Sequence, residues 1–148
     1  MLGKQRLLAA LPLAGLLVLS GCAGSSDDAA EGASPTAVES PAPGSVALLP
    51  PESFAQAAEQ PGVVLVDVRT PEEFAAGHIA GAVNIDLNAA DFPARIAELD
   101  PTTTYAVYCR SGNRSATATA FMLDQGFAPP YELQNGIVAW QGAGLPVV

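Results

Sequence analysis

Residues 63–74 read VVLVDVRTPEEF, and this stretch sets the architecture. Val63 to Val66 form an unbroken, mostly β-branched apolar run that continues through Asp67 to Val68. Strands buried on both faces of a parallel sheet have that composition. The pattern then changes within two residues. Thr70 followed by Glu73 is a capping box, and Pro71 suits the first turn of a helix. The stretch therefore reads as a central strand, a short connection and a helix.

The same alternation extends in both directions. On the N-terminal side, residues 45–49 suit a short strand. Pro50 and Pro51 open a helix over 52–60, with Phe54, Ala57 and Ala58 on one face, and Pro61-Gly62 ends it. On the C-terminal side the first helix covers 71–76, and Gly77-His78-Ile79-Ala80-Gly81 makes a turn. Residues 82–85 suit another strand. Residues 86–99 read as helical, with a second start at Pro93, and Asp100-Pro101 breaks the pattern. A strand over 103–108, a helix over 115–125 ended by Gly126, a strand over 130–133 and a short helix over 136–141 complete the chain. Alternating strands and helices with short connections predict an α/β domain with a mainly parallel sheet covered on both faces. Ligands of such sheets bind beyond the carboxyl ends of the strands.

The start of the chain has a different character. Lys4 and Arg6 precede thirteen uncharged residues, 7–19, too few to cross a bilayer as a helix, which takes about 20. A basic stretch, a short apolar core and small residues mark an export signal. The sequence Leu19-Ser20-Gly21-Cys22 resembles the lipobox of bacterial lipoproteins. That resemblance implies cleavage after residue 21, lipidation of Cys22, and anchoring in the cell envelope on the extracytoplasmic side of a bacterial membrane. Residues 22–44, almost all Ala, Gly, Ser, Pro, Thr, Asp and Glu, have too little apolar surface to offset the entropy of ordering and read as a flexible tether. The expected organisation is a signal peptide over 1–21, a lipidated linker over 22–44 and a folded domain over 45–148.

The whole chain of 148 residues has a formal net charge of -9. Without residues 1–21 it has 4 basic and 15 acidic side chains, a net charge of -11. A surface of that sign disfavours nucleic acid and anionic headgroups. An anionic substrate would need a local positive field.

Such a field is written into VYCRSGNRSA, residues 107–116. With Cys22 lipidated, Cys109 is the one thiol left in the domain, either a reactive group or a small core residue. It stands where a predicted strand ends and a helix begins, between Arg110 and Arg114. Gly112 eases the backbone angles of a tight loop, and Asn113 tolerates left-handed geometry. Inward-turned N–H groups and a helix N-terminus form an anion site. These features favour a thiolate, the nucleophilic form of cysteine, and predict a solvent-reachable sulfur. Ser111 and Ser115 are placed to donate hydroxyl hydrogen bonds to that sulfur, and Ser115 equally suits a helix cap. Cysteine phosphatases place five residues between their cysteine and their arginine. Here Arg114 follows after four, a smaller loop that suits one sulfur atom better than a phosphoryl group.

Asp67-Val68-Arg69, Pro71-Glu72-Glu73-Phe74, Gly77-His78-Ile79 and Gly81-Ala82 together resemble a single-domain rhodanese. Residues 109–115 look like that family's active-site loop, and Leu133, Gly136, Trp140, Gly144 and Pro146 match its closing pattern. Asn135 departs from it, standing where relatives often have glycine. The resemblance covers residues 45–148. It implies the rhodanese-like α/β fold, with a five-stranded, mainly parallel sheet, and sulfurtransferase activity. Cys109 would take a sulfane sulfur from a small anionic donor such as thiosulfate, hold it as a persulfide and pass it to a thiol or other thiophilic acceptor. Arg110, Ser111, Gly112, Asn113, Arg114 and Ser115 would bind the donor and the sulfur. The implied chemistry needs no cofactor, and the sequence offers no His and Cys cluster for a metal. A persulfide carrier or docking module without turnover is the alternative, with a small phosphatase or arsenate reductase behind it. His78, Asp67, Arg69 and Trp140 read as structural: a turn hydrogen bond, a strand-end ion pair and a core side chain.

Overall fold

In a computed structural model, residues 40–148 are described. The expected signal peptide, Cys22 and most of the tether lie outside them. Five strands form one sheet: β1 (Ala47–Leu49), β2 (Val63–Asp67), β3 (Val83–Asn84), β4 (Thr104–Tyr108) and β5 (Tyr131–Leu133). Their order is β1-β5-β4-β2-β3, and every pairing is parallel. Five helices alternate with them: α1 (Pro51–Ala58), α2 (Pro71–Ala75), α3 (Phe92–Ala97), α4 (Asn113–Asp124) and α5 (Gly136–Gly142). The predicted α/β class and parallel sheet agree with this architecture, and β2 is an interior strand between β4 and β3, while β4 holds the centre.

The two faces of the sheet bury different helices. On one face, Val66, Val68 and Val107 pack with Ile96 of α3 and Ala118 and Met122 of α4. On the other, Leu65, Tyr108 and Leu133 pack with Phe54 of α1 and Ile137 and Trp140 of α5. Full burial of one such aliphatic or aromatic side chain contributes about 1.5–3 kcal/mol. This explains why β2 and β4 have apolar side chains at consecutive positions.

The predicted helix over 86–99 is largely absent, and only Phe92–Ala97 is helical. Asp86 accepts the backbone N–H of Asn88 through Oδ1 at 2.9 Å. That local bond gives the backbone an alternative to the helix. Pro93 sits in the first turn of α3, where its missing N–H costs nothing. Helix α4 begins at Asn113, two residues earlier than expected, because Gly112 is its N-cap at φ 101°. The left-handed geometry falls on Gly112, and Asn113 is helical.

The capping box is formed as predicted: Glu73 N–H donates to Thr70 Oγ1 at 3.3 Å, and Thr70 N–H donates to Glu73 Oε2 at 3.2 Å. Asp67 and Arg69 form the expected structural pair, with Arg69 Nη2 2.6 Å from Asp67 Oδ2 and both side chains buried. Arg69 also donates to the Gly77 carbonyl at 2.8 Å, which ties the end of β2 to the turn after α2. His78 is held in that turn, stacked on Phe74 with Nδ1 3.1 Å from the Phe74 carbonyl. Trp140 is core, and its indole N–H donates to the Pro146 carbonyl at 2.9 Å.

Candidate active site

Strand β4 ends at Tyr108, so Cys109 leaves the sheet at its carboxyl edge, directly before α4. The loop from 109 to 112 is shaped from behind by α5. Ile137 N–H donates to the Cys109 carbonyl at 2.9 Å, and Val138 N–H to the Arg110 carbonyl at 3.2 Å. In a trans peptide the N–H points opposite to the C=O. Pinning the Arg110 carbonyl to α5 therefore turns the Ser111 N–H towards the sulfur. Gly112 N–H donates to Cys109 Sγ at 3.1 Å. Gly136 makes this approach possible: a Cβ there would lie 2.5 Å from the carbonyl oxygens of both Cys109 and Arg110.

The sulfur itself is buried. Cys109 is 1 % exposed and packs in the core beside Val107 and Ala118. This corrects the expectation of a solvent-reachable thiol, because the ring of amides that faces the sulfur also covers it. Burial pushes the thiol pKa up. The Ser115 hydroxyl and the backbone N–H groups of Ser115, Ser111 and Gly112 pull it down, and the net position is below the ordinary cysteine value. The direction predicted from the sequence is correct, and its cause is mainly hydrogen bonding.

The other residues of the loop divide into two groups. Arg110 and Ser111 are exposed. Arg110 lines an open cleft of about 330 Å³ together with Arg69, Glu73, Ile137, Val138 and Gln141. Asn113 is exposed, and its carbonyl accepts the Thr117 hydroxyl at 3.2 Å. Arg114 is held in an ion pair with Glu73, Nη1 to Oε2 at 2.6 Å and Nη2 to Oε1 at 2.8 Å. Arg114 is expected to hold an anionic donor, but the capping-box carboxylate of α2 already occupies both its terminal nitrogens. Its charge still acts on the sulfur, since a Cys109 thiolate contributes to raising the Arg114 pKa. Ser115 is buried and is not the helix cap. Its Oγ lies 3.5 Å from Cys109 Sγ, 2.9 Å from the Gly112 carbonyl and 2.8 Å from Glu132 Oε1.

Two residues that shape this site escaped the sequence reading. Glu132 lies in the middle of β5, 6 % exposed, with its carboxyl among hydroxyls of α4. An acid inside the strand predicted over 130–133, in a sheet covered on both faces, is the signal that could have found it. From the sequence Glu73 is a helix cap alone, and no local pattern links it to Arg114, 41 positions away.

Residues 50–143 match the family model described as the rhodanese-like domain. The chain belongs to the rhodanese-like domain family. A sulfurtransferase of Allochromatium vinosum is 40% identical to it over 98 residues, 66% of this chain and 90% of that protein. The thiosulfate sulfurtransferase GlpE of Pseudomonas putida is 42% identical over 94 residues, 63% of this chain and 83% of the relative. Among solved structures, the rhodanese-related protein of Thermoplasma volcanium superposes with a TM-score of 0.61 at 29% identity, covering 69% of this chain and 97% of the other. In this rhodanese-like domain the cysteine loop, the closing helix α5 and the cleft between them occupy the carboxyl edge of a parallel sheet, where α/β proteins bind ligands.

Proposed function

We propose that this rhodanese-like domain is a sulfurtransferase that works through a persulfide on Cys109. The Gly112 N–H 3.1 Å from Sγ carries the reading, because a neutral thiol has little use for several converging donors and an anionic sulfur needs them. The thiolate attacks the outer sulfur of a donor such as thiosulfate. A bond forms between Sγ and that sulfur, the donor's S–S bond breaks, and its electron pair leaves with sulfite. The terminal sulfur keeps the negative charge of the persulfide in the amide cradle. A thiophilic acceptor then takes that sulfur and regenerates the thiolate; cyanide would leave as thiocyanate.

Access to Sγ requires the exposed segment Arg110-Ser111 to move far enough to admit one sulfur atom. Arg110 supplies the positive charge at the mouth, and Val138, 54 % exposed, the apolar part of the wall. Relatives named sulfurtransferase and thiosulfate sulfurtransferase, about 40% identical, support the same reaction class. The test is thiocyanate release from thiosulfate and cyanide by the purified protein, with Cys109→Ala as control. Activity that disappears in the variant supports the reading, and equal rates in both proteins refute it.

The lipobox at residues 19–22 supports tethering of this domain to the cell envelope through Cys22. Labelled fatty acid should enter the wild type and not Cys22→Ser. Equal labelling would remove the anchor from the account.

A further inference from the structure

Glu132 projects from β5 to the face covered by α4. Tyr131 and Leu133 on either side of it belong to the opposite core. Its strand neighbours are apolar, Leu48 on β1 and Val107 on β4. The polar groups that meet its carboxyl are two hydroxyls of α4: Ser115 Oγ at 2.8 Å from Oε1 and Thr119 Oγ1 at 3.4 Å from Oε2. No ion pair reaches it among the described residues. Cys109 is the titratable group it meets, through Ser115.

The hydrogens can be counted. Each hydroxyl has one. Ser115 Oγ also lies 2.9 Å from the Gly112 carbonyl, and Thr119 Oγ1 lies 3.1 Å from the Ala116 carbonyl. Two hydrogens thus face two backbone carbonyls and both carboxyl oxygens, and the Cys109 thiolate 3.5 Å from Ser115 makes a fifth acceptor. An ionised Glu132 can only accept. It would take the Ser115 hydrogen from the sulfur and leave acceptor facing acceptor across a 2.8–2.9 Å contact. A proton on Oε1 resolves the conflict, because the acid O–H then donates to Ser115 Oγ and the Ser115 hydrogen can turn to the sulfur, the Gly112 carbonyl keeping the Ala116 N–H at 2.9 Å. Burial acts in the same direction, raising the Glu132 pKa, while the Ser115 and Thr119 hydroxyls oppose it.

We infer that Glu132 is a positioning residue held as a neutral carboxylic acid, which donates to Ser115 and so releases the Ser115 hydroxyl to stabilise the anionic sulfur of Cys109. It also keeps a second negative charge from standing one hydroxyl away from that sulfur. The consequence for catalysis rests on the sulfur-transfer reading. The proton on Glu132 does not, and it is measured on the resting protein without a sulfur donor.

The experiment is infrared difference spectroscopy of wild type against Glu132→Gln at neutral pH, with the rate of Cys109 alkylation by iodoacetamide as second readout. The wild type should show the carbonyl stretch of an un-ionised carboxylic acid, absent from the variant. Glu132→Gln, whose amide N–H replaces the acid O–H, should alkylate at the wild-type rate. Glu132→Val has no donor to orient Ser115, whose hydrogen then turns to the Gly112 carbonyl 2.9 Å away, and alkylation should slow about fivefold, the worth of one hydrogen bond to the sulfur. A wild-type spectrum showing only carboxylate, or alkylation slowed as much in Glu132→Gln as in Glu132→Val, overturns the inference.

Discussion

The backbone N–H of Ile137 donates to the carbonyl of Cys109 at 2.9 Å, so the closing helix α5 sets the orientation of the peptide that follows the sulfur. Gly136, at φ 61°, is the residue that allows this approach. In Gly136→Ala the new methyl would need to occupy space 2.5 Å from backbone atoms of Cys109 and Arg110. Left-handed backbone alone costs an L-residue about 1–2 kcal/mol. The expected loss is larger, roughly 2–4 kcal/mol once the displaced loop is included. Urea unfolding would read it, and Cys109 alkylation would slow as the amides turn away. Wild-type stability in this variant would mean that the contact between α5 and the loop is loose.

Asp67 is fully buried, and its carboxylate depends on Arg69. Removing one partner of a buried pair leaves an uncompensated charge and costs about 3–5 kcal/mol. Arg69→Ala should lose stability in that range and also free the Gly77 turn. The double variant Asp67→Asn with Arg69→Leu should recover a good part of the loss in the same unfolding assay.

Glu73 links the start of α2 to the sulfur loop. Its hydrogen bonds from Arg114, against some desolvation and with help from the Thr70 amide, lower its pKa to about 2. A carboxyl depressed on folding contributes stability that is complete above its unfolded pKa and is lost as pH falls through its folded value. The window here runs from about pH 4.5 down to about 2. Both side chains are partly exposed, so the coupling between Glu73 and Arg114 in a double-mutant cycle should be near 1 kcal/mol. Glu73→Gln should flatten the acid limb of a stability profile between those pH values. An unchanged limb would assign the acid sensitivity to other carboxylates.

Arg110 is exposed at the cleft, while Arg114 is bound to Glu73 and Arg69 to Asp67. An anionic donor should therefore depend mainly on Arg110. Arg110→Ala should raise KM for thiosulfate about tenfold, as expected for a charge-assisted hydrogen bond of about 1.5 kcal/mol, and weaken the salt dependence of kcat/KM. The rate of alkylation by neutral iodoacetamide should change much less. A larger effect on iodoacetamide than on thiosulfate would show that Arg110 shapes the loop and does not bind the anion.

Local chemistry made much of this domain legible in its sequence. Leu65, Val66 and Asp67 are buried and Val63 and Val64 half-buried, so the apolar composition of this run marks an interior strand, and the Thr70 box marks the start of α2. The segment after Asp86 misled because an Asx bond competes with the helix, and periodicity does not register that competition. The cysteine loop was recognisable from its own residues, but its shape depends on α5 and its charges on α2. The partners of Arg110's carbonyl, Arg114 and Ser115 come from positions 138, 73 and 132. Contacts at that separation depend on strand order, and no local pattern states that order. The burial of Sγ has the same origin: Cys109 packs in the core with Val107 of β4 and Ala118 of α4, under the amides of its own loop.

The most direct measurement is the intact mass of the purified protein before and after thiosulfate, with Cys109→Ala in parallel. The account predicts a gain of one sulfur atom on the wild type, located at Cys109, removed by cyanide and absent from the variant. A wild type that gains no sulfur from thiosulfate, with its Cys109 still open to alkylation, would contradict it.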